Sequence, residues 1–319
     1  MSSFTKLQKT ILEAEKILLI SHESPDGDCL GSMTALAEAL KQIGKEVVMS
    51  NKDQVPPTFK FIPHSGQIVT DFLIGEFGAV ILIDNGDLKR TGFGERLAKL
   101  DQRRTPIINI DHHIKNDLWK LVRVNYADEK APATAVIVYR IVKELGARIT
   151  PTMATSLLAG IYTDTGGFQH TNTSSEVLEI VSDLLSCGAK LKLVSENISK
   201  EKSITRLKLW GIALSRLKIN SEYGIIYSII TQKEIENLNA SEDEVSGLVN
   251  LINSVPEAKI SLLLYEDCTG KIKGSLRTDK ALVDVSGLAR LAGGGGHKKA
   301  SGFVFPGKLV ETTEGWRVE

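Results

Sequence analysis

Three short apolar runs, each followed closely by acidic or imidazole side chains, constrain the fold of this 319-residue chain most strongly. The runs and the polar residues after them are 17–20 before His22, 79–83 before Asp84, and 107–110 before Asp111, His112 and His113. Such runs are typical of parallel strands covered on both faces, although Asn109 interrupts the third one. Segments with helical periodicity separate the runs, so the sequence predicts an α/β fold with crossover connections. Because parallel strands end at one edge of a sheet, we expect the polar residues to meet there.

A helix is predicted after the first run, beyond the stretch HESPDGDCLGS at 22–32. Apolar residues recur from Leu30 to Ile43 at about the 3.6-residue spacing of a helix with one buried face. Gly44 stands where a C-terminal cap belongs. We expect Gly31 to let the start of this helix lie close to the first strand, because glycine adds no side chain there.

The same stretch carries His22, Asp26 and Asp28 on one loop, where they would form a good ligand set for a divalent metal. The alternative is that both aspartates cap the helix and that His22 is a solvated loop residue, because Asp at a helix start is ordinary capping chemistry. The recurrence of Asp and His at the other strand ends, and of Asp164 after a later helix, favours the metal site. So many carboxylates side by side are strongly unfavourable unless cations lie between them.

Further elements are predicted from apolar periodicity and from turn or cap residues. In the first half they are a strand at 46–50 and helices at 133–145, 151–162 and 175–185. In the second half they are a strand at 223–230, a helix at 241–254, a hairpin of strands at 258–265 and 271–277, a helix at 284–291 and a final strand near 303–305.

The element pattern predicts two domains joined by a linker. The first, at 1–187, would carry the metal ligands, and a smaller α/β domain with antiparallel character would occupy 213–319. The linker between them, 188–212, contains several lysines and arginines among polar residues. A solvated face is favoured over a phosphate-binding patch there, because charges of one sign in such a segment are usually just exposed.

Composition excludes several classes of protein. Lys+Arg and Asp+Glu both number 39, which argues against a large basic face for long duplex DNA. The cysteines, Cys29, Cys187 and Cys268, lack the spacing of a disulfide framework or a thiolate zinc site. The N-terminus lacks the apolar core of a signal peptide, and no apolar run approaches membrane-spanning length. We therefore expect a cytoplasmic protein that does not associate with a membrane.

The acidic and imidazole residues together suit two divalent ions. The candidate ligands are His22, Asp26, Asp28, Asp84, His112 and Asp164. A carboxylate-rich set with some imidazole suits Mn²⁺ or Mg²⁺, and two such ions can clamp both the attacking and the leaving oxygen of a phosphoryl displacement. Asp84, after a central strand, is the natural bridging carboxylate. Asp111 would orient an imidazole, and protonated His113 would stabilise the scissile phosphate, so these three residues are the catalytic candidates.

Five motifs occur in a characteristic order along nearly the whole chain. They are HESPDGDCLGS at 22–32, Asp84 with RTG at 90–92, DHH at 111–113, TDTGGF at 163–168 and GGGGHKKASGF at 293–303. In this order they resemble the DHH superfamily of phosphoesterases, and specifically its DHH–DHHA1 subgroup of RecJ-type nucleases and nanoRNase/pAp-phosphatase enzymes. The resemblance implies an N-terminal DHH domain with helices on both faces of its sheet, a C-terminal DHHA1 domain, and an active site in the cleft between them.

The resemblance also implies roles for individual residues. One metal would bind His22, Asp26 and Asp84, and a second would bind Asp28, Asp84, His112 and Asp164, with Mn²⁺ typically preferred. The C-terminal glycine–histidine loop would hold the nucleotide substrate through Arg277, Gly294, Gly295, Gly296 and His297, since exposed backbone N–H groups and a forked guanidinium suit phosphate. The alternative for the glycines is a flexible hinge. His113, Arg90 and His170 are further candidates for phosphate contact, although Arg90 and His170 are equally consistent with exposed loop residues.

The expected activity is that of a Mn²⁺-dependent phosphodiesterase, with Mg²⁺ as the alternative ion. It would cleave short RNA or DNA oligonucleotides and linear dinucleotides such as pApA to mononucleotides, with pAp and cyclic di-AMP as further candidate substrates. The alternatives are an inorganic pyrophosphatase or polyphosphatase and a RecJ-like single-strand exonuclease, although no OB-type domain is evident. A nucleotide-binding regulator without turnover is disfavoured, because no ligand position is missing. The sequence leaves a homodimer open.

Overall fold

The computed structural model of the chain describes residues 3–113, 118–199, 203–312 and 315–319. The chain divides into two units, Met1–Glu201 and Lys202–Glu319. The stretch predicted as a linker, 188–212, contributes helical residues to both units. That the segments 1–187 and 213–319 fold as separate domains stays a prediction.

The first unit is built on a sheet of five strands. They are β1 Lys16–Ser21, β2 Glu46–Ser50, β3 Ala79–Ile83, β4 Ile107–Asp111 and β5 Val124–Ala127. The strands lie in the order β2-β1-β3-β4-β5, and every neighbouring pair is parallel. The predicted α/β class is thereby confirmed. β5 was not predicted, because Val124 is its one buried residue and the other three are exposed or half-buried instead of forming an apolar run.

Eight α-helices of the described residues belong to this unit. They are α1 Ser3–Glu13, α2 Gly27–Gln42, α3 Gly94–Ala98, α4 Leu118–Leu121, α5 Thr134–Glu144, α6 Pro151–Asp164, α7 Ser175–Ser186 and α8 Leu191–Ser199. Short 3₁₀ helices cover Pro57–Phe59, Ser65–Gln67, Ile74–Glu76 and Lys89–Thr91. Within the described part of the chain, no helix combines the length and the apolar character that a membrane crossing requires.

Alternating residues of each strand face opposite sides of the sheet, and both sides are covered. On β3, Ile81 and Ile83 face a core that includes residues of α2, α5 and α6. Val80 and Leu82 face a second core with aromatic residues and with residues of α3 and α4. The expectation of helices on both faces is therefore confirmed, and it explains why the strands read as uninterrupted apolar runs.

Helices α2 and α6 approach each other closely because small residues face the contact. A Cβ atom on Gly31 would lie 2.2 Å from the backbone oxygen of Ser156 on α6. The prediction that Gly31 accommodates the first strand is therefore wrong, because this face of α2 meets α6 instead. At the far end of α2, the Glu38 carboxylate accepts a hydrogen bond of 2.9 Å from the Thr152 hydroxyl, which shows that the helices run antiparallel. Antiparallel packing brings the first turn of α2 to the last turn of α6.

The second unit contains a six-stranded sheet and a separate hairpin. Its strands are β6 Lys218–Asn220, β7 Ile225–Ile230, β8 Ile260–Glu266, β9 Lys271–Arg277, β10 Gly295–His297, β11 Ala300–Pro306, β12 Leu309–Thr312 and β13 Gly315–Val318. The large sheet has the order β10-β11-β9-β8-β7-β6, and β12 pairs with β13. Only the β7–β8 pair is parallel among the described pairs of the large sheet, so the predicted antiparallel character is confirmed.

The helices of the second unit correct two predictions. They are α9 Ile204–Ser215, α10 Gln232–Asn237, α11 Leu248–Ile252 and α12 Val285–Leu291, with a 3₁₀ helix at Glu242–Glu244. The single helix predicted at 241–254 is wrong, because Gly247 adopts a left-handed conformation with φ of 86° and separates the 3₁₀ helix from α11. The strand near 303–305 is present as β11 but is not the final one, because β12 and β13 follow it.

We expect Gly31→Ala to lower the free energy of unfolding by about 1–3 kcal/mol, the usual cost of overfilling a packed contact. The added methyl group would have to displace a backbone oxygen, which cannot move aside as a flexible side chain can. Urea unfolding followed by circular dichroism measures the change. Gly66→Ala is the control, since a Cβ at that exposed position meets no atom within 4 Å. Equal stability of the two variants would contradict the close contact between α2 and α6.

Candidate metal centre and substrate site

The carboxyl ends of β1, β3 and β4 bring the predicted acidic and imidazole residues to one edge of the sheet. The chain leaves β1 for β2 on one side and returns to β3 on the other, so the order of strands reverses between β1 and β3. A crevice opens at such a reversal, and ligands of α/β proteins bind there. His22 follows β1 and Asp84 follows β3, so both lie at this point.

His22 is only 3% exposed, so the alternative of a solvated loop residue is wrong. Its Nδ1 lies 2.7 Å from the backbone oxygen of Glu23 and must donate, because a carbonyl oxygen only accepts. Nε2 therefore keeps a free lone pair, and it lies 3.6 Å from Asp26 Oδ2 and 3.8 Å from Asp84 Oδ2. An imidazole nitrogen fixed in this way is suited to bind a metal.

Asp26 combines the capping role with an oxygen that faces the site. Its Oδ1 accepts hydrogen bonds from the backbone N–H groups of Asp28 and Cys29, at 3.1 and 3.0 Å, and so caps α2. Its Oδ2 faces His22. The capping alternative is thus correct for one oxygen of Asp26, and it leaves the other oxygen for a ligand.

Asp28 caps a different helix from the one that carries it. Its fully buried carboxylate accepts hydrogen bonds from the backbone N–H groups of Thr134, at 2.6 Å, and Ala135, at 2.8 Å, at the start of α5. Gly160 on α6 leaves room for it, because a Cβ there would lie 2.7 Å from Asp28 Oδ1. The favourable field of a helix N-terminus stabilises this negative charge. Oδ1 also accepts a 3.2 Å hydrogen bond from the Ser32 hydroxyl, so Oδ2 is the oxygen that keeps a lone pair for a cation.

Asp84 lies between the two imidazoles and is 2% exposed. Its Oδ2 faces His22, whereas Oδ1 lies 3.5 Å from His112 Nε2 and accepts a 2.9 Å hydrogen bond from the Thr134 hydroxyl. Its backbone has φ of 60°, a left-handed conformation that Asp tolerates better than most residues. The two oxygens of one carboxylate thus point towards different sets of ligands.

His112 and Asp164 complete the second set. His112 Nδ1 lies 3.3 Å from the backbone oxygen of Ala131, so its Nε2 is free to face Asp84 Oδ1 and Asp164 Oδ2, each at 3.5 Å. Asp164 is the last residue of α6 and reaches the site through the antiparallel contact of α6 with α2. It therefore lies beside Asp28, and ligand atoms of Asp28, His112 and Asp164 all lie within 4.8 Å of one another.

The pKa values of the site show that it is unfavourable to bring these carboxylates together in their charged form. Burial raises the pKa of Asp28 well above its usual value, and the charges of Asp164 and Asp84 raise it further. Burial, and next the neighbouring Asp84, raises the pKa of Asp164 to about 8. Burial also raises the pKa of Asp84, against the opposing effect of His112 and His113. Bound cations would remove this repulsion, and the donor set therefore fits divalent metal ions.

Three groups of side chains in the described residues have ligand atoms close enough to hold a metal ion. They are His22, Asp26 and Cys29; Asp84, His112 and His113; and Asp28, His112 and Asp164. The six residues predicted as ligands all fall within these groups. Cys29 was not predicted, although its position one helical turn after Asp26 placed it on the same face of α2. Burial raises the pKa of its thiol well above the usual value, which favours the protonated form.

Asp111 holds His113 rather than His112. The Asp111 Oδ1 atom accepts a 2.7 Å hydrogen bond from His113 Nδ1, and Oδ2 accepts one of 3.1 Å from the backbone of Gly86. The hydrogen bond that His113 donates to Asp111 raises the pKa of His113 and favours its positively charged form. Since Nδ1 is engaged in this way, His113 is better suited to bind an anion through Nε2 than to bind a metal through Nδ1.

Arg90 lies next to His113 across the gap left by Gly86. A Cβ at position 86 would lie 3.4 Å from Arg90 Nη1 and 3.8 Å from His113 Cγ. Two cationic side chains thus flank one small cradle that a larger residue would fill. His170, by contrast, is exposed, and its Nδ1 contacts the backbone oxygen of Asp164 at 3.3 Å.

Three of the predicted substrate-binding residues of the second unit, Arg277, Gly295 and His297, share one face of the large sheet. Ala300 on β11 pairs with His297 on β10 and with Arg277 on β9, and directly paired residues point to the same face. Arg277 Nε donates to the Asn250 side chain at 2.8 Å, and its guanidinium contacts only neutral oxygens among the described residues. The guanidinium therefore keeps its charge available for an anion.

The glycine run leads into a strand, because Gly295 and Gly296 belong to β10 whereas Gly293 and Gly294 lie just before it. Gly294 cannot carry a side chain, because a Cβ would lie 2.1 Å from the backbone oxygen of Gly302 on β11. Gly296, with φ of 135°, is similarly close to Ala300. Gly295 pairs with Gly302, and a Cβ on it would meet nothing within 4 Å. Gly295 and Gly302, together with Ala300, give a floor of small residues beside His297.

Comparison with known proteins gives the following matches. A model described as the DHH family, N-terminal domain, matches residues 16–161, and a model of the DHHA1 domain matches residues 222–314. The bifunctional oligoribonuclease and PAP phosphatase NrnA of Thermus thermophilus is 31% identical over 91% of this chain and 84% of its own length. The protein of the same name from Mycoplasma genitalium is 28% identical over 96% of this chain and 93% of its own length.

A solved structure matches both units. The crystal structure of an exopolyphosphatase-related protein from Bacteroides fragilis superimposes with a TM-score of 0.87 and 29% identity, covering 96% of this chain and 92% of that one.

We expect the metal-free protein to lose stability as the pH rises from about 5 to about 8. The raised pKa of Asp164, about 8, means that the folded state binds more protons than the unfolded state in this range, so a higher pH favours unfolding. The raised pKa values of His22 and His113 act in the same direction. Urea unfolding in a chelator at both pH values measures the effect.

Asp164→Asn is the matched variant, because it removes the titrating carboxyl group and keeps its shape. It should weaken this pH dependence, and added Mn²⁺ should weaken it in the unchanged protein, since a cation favours the deprotonated carboxylates. A metal-free protein whose stability increased over this pH range would contradict the crowded-carboxylate site.

Proposed function

The chain belongs to the DHH family and carries a DHHA1 domain, and on this premise we propose that it is a two-metal, Mn²⁺-dependent phosphodiesterase of short oligonucleotides. Membership of this family makes it a hydrolase of phosphoesters. The proposed substrates are linear dinucleotides such as pApA and single-stranded RNA or DNA of a few nucleotides, which it would degrade to mononucleotides. The proposal includes removal of phosphate from pAp and a cytoplasmic location, and leaves open cyclic di-AMP as a substrate and a homodimer.

The observation that carries the proposal is the position of the Asp84 carboxylate. Its two oxygens face two different imidazole nitrogens, His22 Nε2 and His112 Nε2, and each of these nitrogens has its lone pair free. His22 with Asp26 would hold one ion, and His112 with Asp28 and Asp164 would hold the other. A pair of divalent ions supplies charge stabilisation for both the attacking and the leaving oxygen of a phosphoryl displacement.

The chain's own cations would bind the phosphate that reacts. His113 is held by Asp111 in the orientation and charge state that suit an anion, and Arg90 lies beside it across Gly86. Both side chains donate hydrogen bonds, so they would align phosphate oxygens and stabilise negative charge that develops on them. His170 is the remaining candidate for such a contact, from its exposed position near Asp164.

The second unit would bind a more distant part of the same substrate molecule. Arg277 and His297 lie on one face of the sheet, and Ala300, Gly295 and Gly302 leave the surface around His297 flat. A planar base fits such a floor, and the guanidinium suits a phosphate oxygen. Binding energy from these contacts would serve to position the reacting phosphate. The oligoribonuclease and PAP phosphatase activities named for the two relatives support this choice of substrates.

A polyphosphatase or pyrophosphatase is the second candidate, because the similar Bacteroides fragilis protein is described as exopolyphosphatase-related. A site for inorganic polyphosphate should be lined densely by lysine and arginine. The floor beside His297 instead consists of glycine and alanine, with Arg277 as its flanking guanidinium. This composition favours a nucleotide over a chain of phosphates.

The decisive experiment is a product-resolved assay on a panel of substrates. The panel contains pApA, oligoribonucleotides of increasing length, cyclic di-AMP, pAp, pyrophosphate, polyphosphate and duplex DNA. We expect the highest kcat/KM for single strands of about two to five nucleotides, because one binding site holds only a few nucleotides. Activity should disappear in a chelator and return with Mn²⁺ better than with Ca²⁺. Full turnover after dialysis against EDTA, or a preference for polyphosphate, would refute the proposal.

Two variants separate the chemistry from the binding of substrate. Asp84→Asn keeps a residue that tolerates φ of 60° but removes the charge shared by both ligand sets, so kcat should fall to background. Arg277→Ala should raise KM by about 10- to 100-fold, the equivalent of the 1.5–3 kcal/mol that a hydrogen bond to a charged group contributes. Arg290→Ala, an exposed change on α12, is the control for Arg277. An Asp84 variant that kept its turnover with both ions bound would show that Asp84 is not the bridge.

A further inference from the structure

A basic cavity lies beside the metal-binding loop on the first unit and is not part of the site described above. It has a volume of about 750 Å³. The charged side chains that line it are Glu23, Lys52, Lys89, Glu95, Arg96 and Lys99. Four cations and two carboxylates make this surface locally positive, although the whole chain has no net charge.

Three of the cations are free to bind an anion. Lys52, Lys89 and Lys99 form no ion pair within the described residues, whereas Arg96 is paired with Asp71 at 2.6 Å. Lys52 lies over the ring of Phe93 with its Nζ 5.4 Å from the ring centroid, and Arg96 lies over the same ring at 5.3 Å. The buried ring thus gives the cavity a firm wall and limits the orientations of both side chains.

Two segments of this cavity are fastened to the metal-binding loop by hydrogen bonds. On either side of Lys52, Asn51 donates to the backbone oxygen of His22 at 2.7 Å and Asp53 accepts from the backbone of Ser24 at 2.7 Å. Beside Lys89, the backbone oxygen of Arg90 accepts a 2.6 Å hydrogen bond from Glu23. Lys52 and Lys89 are therefore held close to the metal-binding loop, and the side chain of Arg90, next to Lys89 in the chain, lies beside His113.

We propose that this cavity binds backbone phosphates of a substrate strand that continues beyond the phosphate held at the metal centre. The inference rests on the proposed function and extends it, because it assigns the preference for a few nucleotides to contacts on the first unit. We expect a dinucleotide, held at the metal centre and by the second unit, to leave the cavity empty. A strand of four or five nucleotides would place one or more additional phosphates among the three lysines.

The test compares substrates of different length in a variant that lacks the three charges. Lys52→Gln, Lys89→Gln and Lys99→Gln are combined, since glutamine keeps most of the length of the side chain and removes the charge. We expect KM for a pentanucleotide to rise about tenfold or more while kcat/KM for pApA and pAp stays unchanged. The dependence of pentanucleotide binding on salt should also weaken, by about 0.7 in the logarithmic slope for each phosphate that a lysine no longer neutralises.

A second triple variant, Lys6→Gln, Lys190→Gln and Lys192→Gln, removes the same charge from exposed positions elsewhere on the first unit. It should behave like the unchanged protein. Binding of a fluorescent pentanucleotide in a chelator provides a readout that does not depend on turnover. Equal pentanucleotide KM and equal salt slope in the two triple variants would overturn the inference while the pApA activity, and with it the proposed function, stands.

A free phosphate compound could occupy the same cavity instead of the substrate strand. Inorganic phosphate and a mononucleotide, each added to the pApA reaction, distinguish these two ligands. If the cavity binds the flanking strand, these ligands should inhibit the unchanged protein and the cavity variant equally. Inhibition that disappears in the cavity variant, without any change in the length preference, would show a site for a free effector and overturn the inference.

Discussion

The first unit is organised around four mutually repelling carboxylates, of which Asp28 and Asp84 are buried. Asp26, Asp28, Asp84 and Asp164 meet at one edge of the sheet, where burial and neighbouring negative charges hold the pKa values of three of them above the usual range. Each nevertheless has a fixed orientation, set by backbone N–H groups, a hydroxyl group or a nearby imidazole. The fold therefore gives up stability for a site that fits cations, and the elements around it are arranged to limit that cost.

Asp28 shows how this limit is achieved. It originates in the first turn of α2, caps α5, and fits into space left by Gly160 on α6, so one carboxylate connects three helices. The antiparallel contact of α2 with α6 brings Asp164 to the same place. The close packing of α2 and α6 therefore also sets the positions of the ligands, because any change in the distance between these helices moves Asp28 and Asp164.

Much of this arrangement could be predicted from the sequence, because apolar runs that end in Asp or His carry both the strand and the polar residue in one local pattern. The groups that donate hydrogen bonds to each carboxylate could not be predicted. The Asp28 carboxylate binds backbone groups of Thr134 and Ala135, which are far away in the chain and use no distinctive side chain. The helix predicted at 241–254 failed for a related reason. Apolar periodicity continued through Gly247, while the left-handed backbone of that residue ended the helix.

The left-handed backbone of Asp84 has a consequence for how this protein can vary. Residues that tolerate φ near 60° are chiefly glycine, asparagine and aspartate. Glycine would supply no oxygen and asparagine no negative charge, whereas glutamate would supply both but fit the backbone poorly. Aspartate alone satisfies the backbone and the chemistry together. No other residue at position 84 therefore keeps both the backbone conformation and the negative charge.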